Sequence, residues 1–487
     1  VAAQWTLQTL SLIVLVGLLP KALADLSAPG SQSNDLRKKI ETIIKSKGFS
    51  KSELGLFVSE SKEGRLTEVY SLNADKLMIP ASLSKIVTAG VALTKMGPDK
   101  KFKTQLLING TPRKGVVDGP LYLKGFGDPG FVSEDMWVLV NDFIRSGVQV
   151  IKGGIVVDDS WFDRVRKDPS REGSDVDRAY AAPIGAMSFN WNSVNVYVRP
   201  STNTGKKAKV FADPDNDYIR VVNRTKTVSR RESSRFDVRR TSGGDEFHGD
   251  VVTVNGNVSK SLDEKVVYKS ILKPDLWSAY NLKAFLQRRG VEVEGEIRIG
   301  SAPMTAKVVA EKESKSLALI TRDMMKFSNN YVAEMLTKHL AAEGGEQPAT
   351  METGIGILQS QVAQWGFADG LKIYNPSGLT RQNKMKAKTL HDFLRKLTQR
   401  YDLAAENLAS YPVAGLDGTL KSRMNGTAAE KWVRAKTGLL KGVSGLAGYA
   451  GRADGSIVTF VFLFNGSSSK TYTARDLFDA LAVVLVE

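Results

Sequence analysis

Ser82-Leu83-Ser84-Lys85 begins a run, SLSKIVTAGVALTKM, in which apolar residues fall at Leu83, Ile86, Val87, Val91 and Leu93 before Gly97-Pro98 ends it. This spacing predicts a helix over residues 82–96. Lys85 follows Ser82 by three positions, so both project from one helical face and the amine can reach the hydroxyl. A serine hydroxyl becomes a nucleophile only when a neighbour takes its proton. The chain has only three histidines, His248, His339 and His391, widely separated, and no cysteine. Lys85 is therefore the candidate base; it must be neutral to act, and burial or a nearby second ammonium drives a lysine that way. The same S-x-x-K spacing recurs from Ser59, Ser270 and Ser467, but only the copy at Ser82 opens a convincing helix.

Two further motifs lie downstream: Ser328-Asn329-Asn330, 243 positions after Lys85, and Lys436-Thr437-Gly438. S-x-N recurs at Ser71, Ser188, Ser193 and Ser201, whereas K-T-G occurs once and ends a strand-like run over residues 431–437. That run opens a predicted meander with residues 443–451 and 456–464, the last two joined by a turn at Asp454-Gly455. Strand-like alternation also covers residues 54–59 and 68–72, and helical spacing covers 315–340, 354–365, 390–398 and 474–486. Between about residues 100 and 305 the character changes to short strands and glycine-rich turns, with helices at 133–144 and 276–287. Residues 27–35 read as a small, polar linker.

At 487 residues the chain predicts two or three domains. Apolar residues are 42% and charged residues 25%, which excludes a wholly disordered chain and a polytopic membrane protein. Absent cysteines exclude disulfides, thiolate metal sites and a cysteine nucleophile. With so few histidines, neither a metal nor another cofactor is expected. An apolar run at residues 10–19, too short to span a bilayer, precedes Ala22-Leu23-Ala24. That reads as a signal peptide over residues 1–24, hence a periplasmic or secreted protein. No terminal amphipathic anchor follows Glu487, so no stable membrane insertion is expected.

The 68 lysines and arginines exceed the 52 aspartates and glutamates, a net +16, and suit a polyanionic partner. Residues 204–240 carry eleven basic side chains against five acidic ones. Their only aromatics are Phe211, Tyr218 and Phe236, too few for a nucleic-acid stacking platform, so a solvated basic face is expected and no nucleic-acid partner. Gly125-Phe126-Gly127-Asp128-Pro129-Gly130 matches a dinucleotide-binding spacing. Pro129 nevertheless places Gly130 in a turn before the helix, and Asp128 would set a carboxylate against a pyrophosphate.

Together, Ser82 to Lys85, Ser328 to Asn330 and Lys436 to Gly438 resemble the S-x-x-K, S-x-N and K-T-G set of serine penicillin-binding proteins and β-lactamases. Further phrases narrow the resemblance to the type-4, class C penicillin-binding proteins, the D-alanyl-D-alanine carboxypeptidase/endopeptidase family. These are Tyr374-Asn375-Pro376-Ser377-Gly378-Leu379-Thr380-Arg381-Gln382-Asn383, Pro412-Val413-Ala414-Gly415-Leu416-Asp417-Gly418-Thr419-Leu420 and Arg434-Ala435-Lys436-Thr437-Gly438. The glycine turn around Asp128 belongs to the same pattern.

The resemblance implies an α/β (α+β) fold: a serine transpeptidase/β-lactamase-like domain with an antiparallel sheet and helices, over residues 25–100 and 305–487. A large, mainly β insertion over residues 101–304 would interrupt it, with a basic subdomain at about 200–265. It implies an acyl-enzyme on Ser82, formed from a D-Ala-D-Ala amide or a D-Ala-to-diaminopimelate cross-link of peptidoglycan and then hydrolysed. β-Lactams would be covalent inhibitors. Lys85 would be the base, Ser328 a proton relay, and Asn330 a ligand of Lys85 and of the substrate carbonyl. Lys436 and Thr437 would bind the terminal carboxylate, and Gly438 would keep the strand flat enough for substrate to lie beside it as an added strand. The oxyanion would meet the backbone N–H groups of Ser82 and Leu439. Arg381, Lys441, Asp158 and Phe162 would read the third stem residue. Thr380, Leu439 and Lys441 depart from the family pattern. The rival readings are a β-lactamase and a noncatalytic peptidoglycan-binding or β-lactam-sensing protein.

Overall fold

A computed structural model describes residues 31–172, 177–244 and 247–487. The expected signal peptide lies outside them. Two distant parts of the chain meet in one antiparallel sheet, ordered Val433–Leu440, Val443–Gly451, Ile457–Asn465, Leu54–Lys62 and Arg65–Leu72. Its central strands are near-continuous apolar runs because both faces are covered. Helices Ser31–Ser46 and Thr471–Val486 cover one face through Leu36, Ile40, Leu477, Phe478 and Leu481. Helices Ser84–Met96 and Ala387–Gln399 cover the other, where Ile86, Val91, Phe393 and Leu394 join the core.

The first helix starts at Ser31, inside the stretch expected to be a linker. The predicted helix over 315–340 is two helices, Leu317–Phe327 and Asn330–Glu343, broken where Ser328 turns left-handed at φ +56°.

The chain leaves this layer after Met96 and builds a five-stranded mixed sheet ordered Ile297–Ile299, Ile155–Asp158, Leu121–Gly125, Lys103–Ile108 and Lys307–Glu313. The returning strand Lys307–Glu313 pairs with Lys103–Ile108, so the inserted sheet runs past the boundary expected at 304. Two three-stranded sheets follow: Ile219–Val228, Asp250–Ser259, Arg235–Ser242, and Lys265–Ser270, Ser193–Arg199, Lys209–Asp213. With helices Ser133–Ile144 and Pro274–Arg288 they enclose a second core around Phe189, Trp277 and Tyr218. Gly125 ends its strand, Gly127 sits at φ +79°, and Asp128 Oδ1 accepts from Gly130 N at 2.8 Å. The helix starts only at Ser133, so this glycine motif is a tight turn.

Residues 159–172 and 177–185 are irregular and lead from the inserted sheet back over helix Asn330–Glu343; together they form a strap. Tyr180 lies in its short 3₁₀ turn Ala179–Ala181.

Candidate active site

Ser82 sits in a 3₁₀ turn, Ala81–Leu83, that runs directly into helix Ser84–Met96. Ala81 has φ +49°, an unfavourable conformation for a side chain with a Cβ. The surrounding backbone holds it there. A Cβ on Gly378 would stand 1.9 Å from the Ala81 carbonyl oxygen, and one on Gly438 would stand 2.6 Å from that of Pro80. Gly438 thus lets the K-T-G strand pass close to the turn that carries Ser82, a tighter requirement than the flatness expected of it.

One helical turn on, Lys85 is fully buried. Its Nζ lies 3.0 Å from Ser82 Oγ, 2.7 Å from Asn330 Oδ1 and 2.5 Å from the Ser377 carbonyl oxygen. The two carbonyl oxygens only accept hydrogen bonds. A neutral amine spends its two N–H groups on them and is left with a lone pair directed at the Ser82 hydroxyl. Burial holds the Lys85 pKa well below the ordinary lysine value; Lys436 and Arg171 push it the same way, and Glu334 opposes them.

The S-x-N motif is a junction between two helices. Ser328 closes Leu317–Phe327 in the left-handed region, and Asn329 caps the next helix by accepting from Val332 N. Asn330 is the first residue of that helix, which turns its side chain to Lys85. Its Nδ2 donates to the Tyr180 carbonyl at 2.9 Å, leaving one amide hydrogen for a ligand. Lys436, also fully buried, donates to Ser328 Oγ and to the Thr437 carbonyl, both at 2.8 Å. Burial lowers its pKa to about 7.

Strand Val433–Leu440 is the edge of its sheet. Ala435 N donates to Pro412 O, and Val433 O accepts from Ala414 N, so alternate residues from Val433 direct backbone groups out of the free edge. Thr437 and Leu439 share that parity. Their backbone groups, the Leu439 N–H among them, can pair with an extended ligand. Thr437 Oγ1 donates to Thr419 Oγ1 at 3.0 Å.

Arg381 lies at the rim. Its Nε is 3.3 Å from Glu172 Oε1, and its Nη2 donates to the Lys441 carbonyl. Lys441 is exposed there. Asp158 and Phe162 do not join the site. Asp158 Oδ1 accepts from Ser160 N and Oγ, while Oδ2 accepts from Ala302 N and pairs with Lys124 at 3.2 Å. These contacts tie down a strand end. Phe162 is buried against His339 with ring centroids 5.1 Å apart. The expectation that these two read substrate is corrected: their polar capacity and surface are used inside the fold.

Sequence reasoning missed the strap's grip on this centre. Arg171 donates from Nε to Glu334 Oε1 at 2.6 Å and from Nη2 to Glu334 Oε2, and its Nη1 donates to the carbonyls of Ala181 and Ala182. Both side chains of the pair are completely buried. Asn375 Nδ2 donates to Asp168 Oδ2 and Ser170 Oγ, while Asn375 Oδ1 accepts from Ser377 N and Gly378 N. Glu172 N donates to Leu379 O. The strap therefore ties together the segments bearing Asn330 and Ser377. Arg171 and Glu334, 163 positions apart, leave no local signal in the sequence.

A second serine has triad-like neighbours: Ser59 Oγ is 2.7 Å from His391 Nε2, whose Nδ1 is 2.9 Å from Asp392 Oδ1. Ser59 is 1% exposed, so its hydroxyl has no access to a substrate, and the group pins helix Ala387–Gln399 to the sheet.

Among the described residues no cluster of histidine, aspartate and glutamate fits a metal ion, and no helix is long and apolar enough to cross a membrane. The D-alanyl-D-alanine carboxypeptidase of Actinomadura sp. (strain R39) is 32% identical, the match spanning 98% of this chain and 88% of that protein. The D-alanyl-D-alanine carboxypeptidase DacB of Haemophilus influenzae is 26% identical over 86% of each. The crystal structure of penicillin binding protein 4 (dacB) from Haemophilus influenzae superposes with a TM-score of 0.75 at 24% identity, covering 92% of this chain and 98% of that one. The same protein complexed with a β-lactam gives 0.69, covering 93% and 98%. The family model described as D-Ala-D-Ala carboxypeptidase 3 (S13) matches residues 36–486, and this chain belongs to that family.

Proposed function

We propose that the protein is an exported serine D,D-peptidase that cleaves D-Ala-D-Ala termini and D-Ala-to-diaminopimelate cross-links of peptidoglycan through an acyl-enzyme on Ser82. The observation that carries this reading is the wedge of Lys85 Nζ between two carbonyl acceptors and the Ser82 hydroxyl. Family membership supports the carboxypeptidase half.

Lys85 takes the Ser82 proton as Oγ bonds to the scissile carbonyl carbon. The developing oxyanion meets the N–H groups of Ser82 and Leu439, and the substrate lies along the free edge at Thr437 and Leu439. Lys436, as a cation, attracts the terminal carboxylate together with Thr437. The carbon–nitrogen bond breaks as the proton taken up by Lys85 passes through Ser328, which lies beside Lys436, to the leaving amine, and Lys85 is neutral again. Water then attacks the ester carbon and gives a proton to Lys85, which passes it to Ser82 Oγ as the carbon–Oγ bond breaks and the acid is released. Arg381 meets a carboxylate at the rim only by leaving Glu172, and Lys441 adds a cation there. A β-lactam presents the same carbonyl and carboxylate, and it stays as an acyl-enzyme until water reaches the ester.

Mass spectrometry of stem-peptide monomers and cross-linked dimers, incubated with the wild type and Ser82→Ala, tests the assignment. D-alanine loss from monomers and cleavage of dimers are expected, both abolished in the variant, with a penicillin adduct on the wild type alone. Cleavage that persists in Ser82→Ala would sink the mechanism; intact dimers would remove the endopeptidase half.

A further inference from the structure

The three-stranded sheet Ile219–Val228, Asp250–Ser259, Arg235–Ser242 hides one face and leaves the other free. Thr225, Thr227, Val238, Val252, Val254 and Val258 point inward and are buried. Strand alternation therefore sends the intervening residues outward. The register sets these in rows: Lys226, Asn257, Arg235; then Arg224, Asn255, Asp237; then Val222, Thr253, Arg239; then Arg220, Val251, Thr241. Five cations thus share one flat surface with a single acid, Asp237, which pairs with Arg239 at 3.1 Å. Among the described residues, no ion-pair partner faces Arg224, Lys226 or Arg235, and all three are exposed. Between them stand amides and a hydroxyl, Asn255, Asn257 and Thr253.

Successive outward positions lie about 7 Å apart along a strand, and adjacent strands about 4.8 Å apart. The result is a two-dimensional array of charge on a rigid support. Arginine favours carboxylates and phosphates through its planar fork, while amides and hydroxyls suit sugar hydroxyls and acetamido groups. None of the outward strand residues in these rows is aromatic, since Phe236 has inward parity, and the one ring against them, Phe247, is covered by Arg220 at 4.2 Å, so the face lacks the stacking platform of a single-stranded nucleic-acid binder.

The surface is coupled to the catalytic centre by a short path. Arg240 on its edge strand donates from its backbone N to Asp177 Oδ2 at 2.9 Å and from Nε to Ser270 O at 2.8 Å. Asp177 precedes Tyr180 by three residues, at most about 10 Å of chain, and the Tyr180 carbonyl holds Asn330.

We propose that this sheet face docks the anionic strands of peptidoglycan, holding the polymer while one of its stem peptides occupies the cleft at Ser82. The proposal rests on the D,D-peptidase reading and adds a second point of attachment. Two linked contacts convert the second into an intramolecular event and raise the effective concentration of stem peptide at the cleft. The gain applies to the polymer and vanishes for a free peptide, and because exposed charges carry it, salt weakens it.

The test compares the full-length wild type with Arg224→Glu/Lys226→Glu/Arg235→Glu, and with the corresponding triple glutamine variant, whose changes are gentler on the fold. Co-sedimentation with purified sacculi stripped of secondary polymers should fall about tenfold or more in the glutamate variant and by less in the glutamine variant. Release of products from the same sacculi should fall in parallel. The rate of penicillin acylation and kcat/KM for a soluble stem pentapeptide should stay at wild-type values, which also certifies folding. Unchanged co-sedimentation overturns the proposal. So does a wild type that binds duplex DNA or a phosphodiester polymer and leaves stripped sacculi in the supernatant. If the wild type fails to cleave the soluble peptide, the D,D-peptidase reading fails, a result separable from loss of sacculus binding.

Discussion

The buried Arg171–Glu334 pair supplies a prediction whose sign differs between its two members. Glu334 lies one helical turn beyond Asn330, about 6 Å along the axis, and Asn330 Oδ1 is 2.7 Å from Lys85 Nζ. At a separation of about 8 Å and an effective dielectric of about 20, one charge acts on another with roughly 2 kcal/mol. That corresponds to about one and a half pKa units, in a direction set by the sign of the charge left behind. Arg171→Met leaves the carboxylate, which favours the protonated form of Lys85, so the limb of the acylation rate that rises with Lys85 deprotonation moves to higher pH. Glu334→Gln leaves the guanidinium and moves that limb to lower pH.

Each single change leaves a buried charge without its partner and costs about 3–5 kcal/mol of stability, whereas the double variant is close to neutral. The assay is the rate of acylation by a fluorescent penicillin across pH, with thermal unfolding measured alongside. The double variant should return the midpoint to near its wild-type position, and Arg171→Lys should restore part of the shift. Shifts of the same sign in both single variants, or none in either, would refute the electrostatic reasoning and leave the pair a purely structural tie.

Other expectations follow from the same geometry. Lys436, with its pKa lowered to about 7 by burial, is cationic below that pH and neutral above it. KM for a peptide ending in a free carboxylate should therefore rise on the alkaline side, and a flat KM between about pH 6 and 9 would contradict this role. Gly378→Ala places a Cβ against the Ala81 carbonyl at a residue with φ +77°, displacing the turn that carries Ser82. Acylation should slow about a hundredfold, and a wild-type rate would show that the turn can yield. Asp158→Ala should lower stability by about 1–3 kcal/mol and leave the stem-residue preference unchanged. A changed preference, measured with paired peptides, would return Asp158 to the site.

Much of the centre could be read from the chain because its chemistry is local. Ser82 and Lys85 share a helix, and S-x-N and K-T-G each occupy three consecutive positions. Periodicity also found the terminal meander and most helices. It failed at Ser328, where apolar positions continue from Met324 to Val332 across a break made by one left-handed residue. The strap escaped notice for a related reason. Residues 159–185 obey no period, and their partners Glu334, Asn375 and Asn330 lie far along the chain. Asp158 and Phe162 were assigned by resemblance, and only packing reveals that a strand end and a core contact occupy them.

The central sheet pairs Leu54 with Phe464, so one of its first strands waits for one of its last. Such distant pairing makes folding slow, because the loop must close before its contacts stabilise anything. If Ser82 is the nucleophile, the pairing would also act as a timing device. Ser82 and Lys85 are synthesised early, yet the edge strand that carries Lys436 and Leu439 joins only after nearly the whole chain is available. On the serine-peptidase mechanism proposed above, a partly made or partly folded chain would hold Ser82 and Lys85 without the edge that carries Lys436 and Leu439, and cleavage would wait for that edge to join the sheet.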